Sequence, residues 1–239
     1  MIWLAEKAID GSVEAVAAVR AAGHRVLFVS NNSFSPVRDV ERKLSDFGVP
    51  AAGDVVTSAM AAARLVHPGE RVFVAGGPGV REEVERRGGV LVDATPCDVV
   101  IVGFHRDFDY AELQRTSTAV RQGARLIGTN GDATYPTPDG EIPGGGAILA
   151  AVATAAGAVP TVAGKPHEAM VGLVREVAGG TPEIVVGDRL DTDGRFAAAL
   201  GARFVHVLSG VLNVGDGPDV AVWRTAADLG AAVPQLLGP

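Results

Sequence analysis

Apolar residues fall along this chain in two alternating rhythms. Continuous apolar runs rich in β-branched residues, Arg25–Val29, Arg71–Ala75, Val99–Gly103, Arg125–Gly128, Ile184–Val186 and Phe204–Leu208, predict buried strands. Between them, apolar positions recur at helical spacing. They predict helices from Val13 to Ala22 behind a turn with a capping serine, Ser12, and over Pro36–Phe47, Ser58–Val66, Val80–Arg87, Tyr110–Gln122, Ala147–Ala156, His167–Val177 and Arg195–Leu200. Ala221-Val222 reads as a short strand before a last helix, Thr225–Leu237. Strand–helix alternation of this kind specifies an α/β fold around a parallel sheet. Because residues 57–162 repeat the same alternation, they read as a second α/β unit inserted into a first one built from residues 1–56 and 163–239.

Polar residues then concentrate just past the strands, where open α/β sheets bind ligands. Gly187-Asp188-Arg189-Leu190-Asp191-Thr192-Asp193 brings three carboxylates to the end of a strand, a set suited to holding a hard cation. Its plainer reading is a solvated acidic turn with Asp193 as a helix cap. Ser30-Asn31-Asn32-Ser33, at another strand end and before a helix, offers hydroxyl, amide and backbone N–H donors to an anion. An ordinary helix cap is the alternative there too. Thr129-Asn130-Gly131-Asp132 to Pro136, with Pro143 to Gly146, either lines a cleft or forms turns. Lys165, between Gly164 and Pro166, stands out as a compact point charge in a chain that otherwise prefers arginine. Gly76-Gly77-Pro78-Gly79 follows a strand but lacks the glycine spacing of a dinucleotide loop.

Composition narrows these options. The net charge of −7 and the absence of any Lys/Arg run argue against a nucleic-acid surface. Basic residues are eighteen Arg and three Lys in an Ala-, Gly- and Val-rich background. The one cysteine, Cys97, excludes an internal disulfide framework and reads as a small packed thiol, which fits a reducing cytoplasm. No apolar stretch is long enough for a membrane span, and Met1 to Asp10 lacks the pattern of a signal peptide. His24, His67, His105, His167 and His206 show no ligand spacing and read as structural.

Taken in order, Ser30-Asn31-Asn32, the inserted unit with Thr129-Asn130-Gly131-Asp132, Gly164-Lys165-Pro166 and the Gly187–Asp193 loop resemble the haloacid dehalogenase superfamily, and within it the p-nitrophenylphosphatase-like (NagD-like) branch. The resemblance implies a Rossmann-like parallel-sheet core, residues 1–56 and 163–239, with an inserted α/β C2-type cap, residues 57–162. It implies an enzyme, a Mg²⁺-dependent phosphatase of small phosphorylated metabolites that works through an aspartyl-phosphate. Ser30 would hydrogen-bond the transferring phosphoryl group, Asn31 and Asn32 would shape its pocket, and Lys165 would neutralise charge between phosphate and nucleophile. Asp188 would ligate Mg²⁺ directly and Asp193 would support the metal's waters. In this branch the loop after Thr129-Asn130 faces the leaving group, which makes Tyr135 the candidate specificity residue, against the alternative of simple packing. Many relatives dimerise through the cap, and the sequence leaves that open here.

The family's nucleophile sits in an Asp-x-Asp-Gly motif at the end of the first strand, and no such motif precedes Ser30. Laid on the family pattern, Met1 falls immediately after that motif's glycine. The first central strand, between those ending at Ser30 and Gly187, is then absent from the sequence, leaving buried backbone groups unpaired, which favours a start site placed too late over a genuine truncation. The expectation is that these residues alone bind Mg²⁺ weakly and do not turn over phosphate esters. The alternative function is a non-catalytic phosphate-binding or regulatory protein of the same fold.

Overall fold

The computed structural model describes residues 2–4, 7–137, 139–209 and 220–237. In chain order the elements are β1 (Trp3–Leu4), β2 (Lys7–Ala8), α1 (Ser12–Ala21), β3 (Phe28–Ser30), α2 (Val37–Asp46), β4 (Val55–Thr57) and α3 (Ser58–Ala63). Next come β5 (Arg71–Ala75), α4 (Pro78–Arg86), β6 (Val90–Val92), β7 (Val99–Val102), α5 (Tyr110–Arg121), β8 (Arg125–Gly128), β9 (Thr134–Thr137), β10 (Gly140–Pro143), α6 (Gly145–Ala156) and β11 (Thr161–Val162). The chain continues with α7 (Glu168–Ala178), β12 (Ile184–Gly187), a π-helical turn (Leu190–Gly194), α8 (Arg195–Leu200), β13 (Arg203–Val207), β14 (Val222–Ala226) and α9 (Leu229–Leu237).

The chain divides into two compact units, one of residues 1–28, 40–55 and 171–239, the other of residues 29–39 and 56–170. The second unit is built on a five-stranded sheet in the order β11-β8-β7-β5-β6, parallel throughout. Its middle strands are apolar because both faces are covered. Every residue of β7 is buried, and Phe73, Val100, Val102, Leu126, Ile148, Leu149 and Val152 pack into one core. Each of these large side chains contributes roughly 1.5–3 kcal/mol by leaving water. Caps set the helix starts: Asp109 accepts from the Glu112 N–H at 2.7 Å, and Thr57 accepts from the Met60 N–H.

In the first unit β12, β13 and β14 form a parallel three-stranded sheet, with Val205, Val207, Ala226 and Ala232 at its core. β3 pairs with β4 in a separate two-stranded sheet.

Several expected elements differ. Ser12 does not cap α1: the cap position is Gly11, at φ 74, and the Ser12 hydroxyl donates instead to the Ile2 carbonyl at 3.0 Å. β3 starts at Phe28, because Arg25 turns aside to pair with Asp54 at 3.0 Å. Neither β3 nor the apolar run of β12 is fully buried. Thr225 belongs to β14, whose register places it opposite His206, and α9 begins only at Leu229, after Asp228 caps the Ala231 N–H. The Thr134–Pro143 stretch is an antiparallel hairpin whose turn uses Gly140 at φ 115, a conformation other residues rarely adopt.

Candidate active site

In the second unit the loop after β3 is folded by its own side chains. Ser30 Oγ accepts from the Asn32 N–H at 3.1 Å and Asn32 Oδ1 accepts from the Phe34 N–H at 2.9 Å. A hydroxyl that accepts in this way keeps its own proton to donate. Asn32 is thereby a turn-former. Ser33 is fully buried, and its hydroxyl meets Thr129 Oγ1 at 3.0 Å, which ties this loop to the end of β8.

Asn31 is the hub. Its Oδ1 accepts from the Lys165 N–H at 2.8 Å, while its Nδ2 lies 3.2 and 3.3 Å from the Asp132 carboxylate oxygens and 3.3 Å from the Lys165 carbonyl. The amide orientation follows from chemistry, because an N–H requires the oxygen end and a carboxylate the nitrogen end. The Asn31 carbonyl in turn accepts from Ser58 Oγ at 2.6 Å and from Asn130 Nδ2 at 2.8 Å. Lys165 Nζ donates to the Val29 carbonyl at 3.1 Å. This approach depends on Gly164: a Cβ there would lie 2.5 Å from the Thr129 carbonyl oxygen and 2.6 Å from Asn31 Oδ1. Ser30, Asn31, Asn32 and Lys165 are therefore brought together, with the Asn31 side chain acting as the clamp that seats Lys165.

Tyr135, on β9, stacks on Phe104 with ring centroids 4.7 Å apart and planes 10° from parallel, and Phe34 meets Phe104 edge-on at 6.2 Å. Phe104, Asn130 and Asp132 carry much of this arrangement, yet sequence reasoning left them without roles. The signal for two of them was present in the polar run directly after a strand; Phe104 gave none, because a lone aromatic past a strand reads as packing. Beyond Phe104, His105 is mostly buried, with Nδ1 3.0 Å from the Gly103 carbonyl and Nε2 2.7 Å from Glu112. Burial alone would lower its pKa; the hydrogen bonds to Glu112 and Gly103, with the charges of Glu112 and Asp107, outweigh this and raise it. Cys97 is half-buried against the core, and burial pushes its thiol up, which favours the neutral thiol.

In the first unit the acidic loop gives its three carboxylates three environments. Asp191 is gripped by Arg189, whose Nε and Nη2 reach its two oxygens at 3.1 and 2.7 Å. Burial works against the charged form of Asp191, but these contacts and nearby backbone N–H groups win and lower its pKa. Asp193 is buried, and its Oδ2 accepts from the Arg189 N–H at 3.2 Å while its own N–H returns to the Arg189 carbonyl at 2.8 Å. It is not the cap of α8, which starts from Gly194 with no side-chain hydrogen bond. The carboxylate fits over the end of β12 because Gly187 has no side chain: a Cβ there would lie 2.2 Å from that of Asp193. Asp188, at the strand end, is half-buried, and its carbonyl lies 3.3 Å from His206 Nε2.

No group of three His, Cys, Asp or Glu side chains converges as a metal cage among the described residues. The donor set fits Mg²⁺ all the same, since this ion takes hard oxygens and is typically held by one or two carboxylates, waters and substrate phosphate oxygens. Asp188 could ligate such an ion and Asp193 could support its waters, while both oxygens of Asp191 are held by Arg189. Among the described residues no helix is long and apolar enough to cross a membrane.

The chain also resembles known proteins over most of its length. Residues 1–89 match the profile of haloacid dehalogenase-like hydrolases, and residues 162–231 match a related hydrolase profile. A D-glycerol 3-phosphate phosphatase of Mycobacterium tuberculosis is 37% identical over 224 residues, 90% of this chain, which spans 62% of that protein's length. An acid sugar phosphatase of Staphylococcus saprophyticus is 33% identical over 85% of this chain and 81% of its own. Among solved structures, a p-nitrophenyl phosphatase from Archaeoglobus fulgidus superposes with a TM-score of 0.88 at 29% identity, covering 96% of this chain and 93% of that one. The magnesium complex of a glycerol phosphate phosphatase from Mycobacterium tuberculosis also reaches 0.88, at 33% identity over 97% of this chain and 73% of that one. Polar strand-end loops, a seated lysine and an acidic loop thus occur in a chain that belongs to the haloacid dehalogenase-like hydrolases, in their p-nitrophenylphosphatase-like (NagD-like) branch.

Proposed function

We propose that this protein, in a form that carries the Asp-x-Asp-Gly nucleophile motif, is a Mg²⁺-dependent phosphatase of small phosphorylated metabolites. The observation that carries the reading is the Asn31 clamp, which fixes Lys165 beside the Ser30 loop with its backbone held at both N–H and carbonyl. In this reading Ser30 donates its hydroxyl proton to a phosphoryl oxygen and Lys165 offsets the negative charge that phosphoryl transfer concentrates there. Asn31 and Asn32 hold the loop in shape, and Tyr135 meets the non-phosphate part of the substrate. Asp188 ligates Mg²⁺, and Asp193, braced on the backbone of Arg189, orients the ion's water shell. The ion, when bound, supplies a positive charge for the phosphate oxygens. Residues 57–162 form the cap and residues 1–56 with 163–239 the catalytic core. The protein works in the cytoplasm, and its cap offers the surface for a homodimer.

Support comes from the family and from relatives whose names record glycerol phosphate and sugar phosphatases. The test is phosphate release from a panel of phosphate monoesters with Mg²⁺, by a form of the protein that carries the Asp-x-Asp-Gly motif ahead of Ser30, alongside Lys165→Ala and Asp188→Asn. Lys165→Ala is expected to lower kcat/KM by about a hundredfold or more, the scale on which a charge-stabilising group acts, while Asp188→Asn raises the Mg²⁺ concentration required. A folded wild-type protein that releases no phosphate and binds no orthophosphate would overturn the reading. One that binds orthophosphate and Mg²⁺ without turnover would assign it to phosphate binding.

A further inference from the structure

The phosphatase reading gives Asn130 no task, although its carboxamide lies inside the cluster described above. Asn130 is only 4% exposed, so its side chain is shut away from substrate. Its two ends go to two different loops: Nδ2 donates to the Asn31 carbonyl at 2.8 Å, and Oδ1 accepts from the Asp132 N–H at 3.1 Å. The partners fix which end is which, since a carbonyl needs the nitrogen and an N–H the oxygen. Glycines wall the group in. A Cβ on Gly145 would lie 3.2 Å from Asn130 Oδ1 and 3.4 Å from its Nδ2, and one on Gly164 would lie 3.2 Å from the Asn130 Cβ. The peptide that joins Asn31 to Asn32 is gripped at both ends. Its carbonyl accepts from Asn130 and, at 2.6 Å, from the hydroxyl of the fully buried Ser58, while its N–H donates to Ser30 Oγ at 3.1 Å.

We propose that Asn130 is a positioning residue for the phosphate seat: by fixing the Asn31–Asn32 peptide it aims the Ser30 hydroxyl and holds Lys165 in place. This rests on the phosphatase reading above for the phosphate, and on hydrogen bonding alone for the two side chains. A carbonyl oxygen has two lone pairs, and here donors from two separate elements fill them, so the peptide plane cannot swing without breaking a buried bond. The N–H of that plane occupies one lone pair of Ser30 Oγ, which sets the directions left for the hydroxyl proton. The Asn31 side chain leaves from the same residue, and its Oδ1 accepts from the Lys165 N–H at 2.8 Å. Loss of the Asn130 donor thus loosens both groups at once, and small misplacements of such groups are costly to binding and turnover.

Asn130→Asp isolates the role. It keeps the shape and the oxygen that accepts from the Asp132 N–H, but turns an acceptor toward the Asn31 carbonyl; a proton on the introduced carboxyl at low pH restores the donor. Burial and the Asp132 charge favour that protonation, and the Lys165 charge opposes it. Asn130→Ala removes both bonds at every pH, and Val100→Ala, in the core of the same unit, controls for lost stability alone. Orthophosphate binding by titration calorimetry, without divalent cation, and hydrogen exchange at the Lys165 N–H are measured on the full chain between about pH 5 and 8, each against wild type at the same pH. At the alkaline end both Asn130 variants should bind orthophosphate about three- to tenfold more weakly, the scale of one buried hydrogen bond, and exchange the Lys165 amide faster. Toward acid pH the deficit should close in Asn130→Asp alone, and Val100→Ala should bind as wild type does. Unchanged binding and exchange in the folded Asn130 variants overturn the proposal, and so does an Asn130→Asp deficit that acid leaves in place. A wild type that binds no orthophosphate overturns the phosphatase reading itself, and this proposal with it.

Discussion

β7 and β12 are written in nearly the same letters, Val99-Val100-Ile101-Val102 and Ile184-Val185-Val186-Gly187, yet they sit in unlike places. β7 has a strand on each side and every residue buried. β12 ends its sheet, and its three apolar residues are only half-buried. The polar loops of the two units are also secured differently. In the second unit the loop after β3 locks onto the loops after β11 and β8, Asn31 Oδ1 accepting from the Lys165 N–H and Ser33 meeting Thr129. Past β12 the acidic loop holds itself, through a π-helical turn, the Arg189–Asp191 ion pair and the bond from the Arg189 N–H to Asp193.

The same truncation on each strand breaks or sharpens this contrast most strongly. Val100 is fully buried, so Val100→Ala should cost about 2 kcal/mol or more through lost burial and a residual cavity. Val185→Ala should cost about 1 kcal/mol or less, in proportion to its smaller burial. Urea unfolding midpoints measure both, and equal losses would dissolve the distinction between flanked and edge strands. Next in size are the two glycines that let side chains close over strand ends. Gly164→Ala and Gly187→Ala each drive a methyl group into atoms less than 3 Å away and should cost about 1–3 kcal/mol. They separate by ligand: Gly164→Ala should weaken orthophosphate binding and Gly187→Ala Mg²⁺ binding, each read by calorimetry.

The smallest effects are those of pH, and they run in opposite directions. His105 has a raised pKa in the folded protein, so the stability it adds is complete below its unfolded value and fades as pH rises through the folded one. Asp191 has a lowered pKa, so its contribution is present above its unfolded value and fades as pH falls through the folded one. Hydrogen exchange, corrected for intrinsic rates, should therefore show Gly103–Glu112 loosening toward alkaline pH and Arg189–Gly194 toward acid. Asp191 is partly open to solvent, which keeps its change small. Loosening of both segments in the same direction would contradict the assignment.

Apolar rhythm alone placed β5 and β8 at their observed limits and α8 likewise, because each is a continuous local pattern with a clear stop. It misjudged β14, where Trp223 and Arg224 gain strand geometry only by pairing with β13, and it gave no hint of the β9–β10 hairpin, whose apolar content is low. Among candidate site residues, Ser30, Lys165, Asp188 and Asp193 stood out in the sequence as polar groups near strand ends. Asp132 was visible only as part of a run, and Phe104 not at all.

By itself the sequence determined the strand–helix alternation, the polar strand-end loops and the family, since these depend on residue types at short spacing. Tertiary structure alone decided which of two similar apolar runs is flanked and which is an edge. It also decided that Asn31 spends its amide on Lys165 and Asp132, and that Gly164 and Gly187 must lack side chains. Those outcomes depend on atoms brought within 3 Å from distant parts of the chain, as when Asn31 meets Lys165, and no local pattern encodes such an approach.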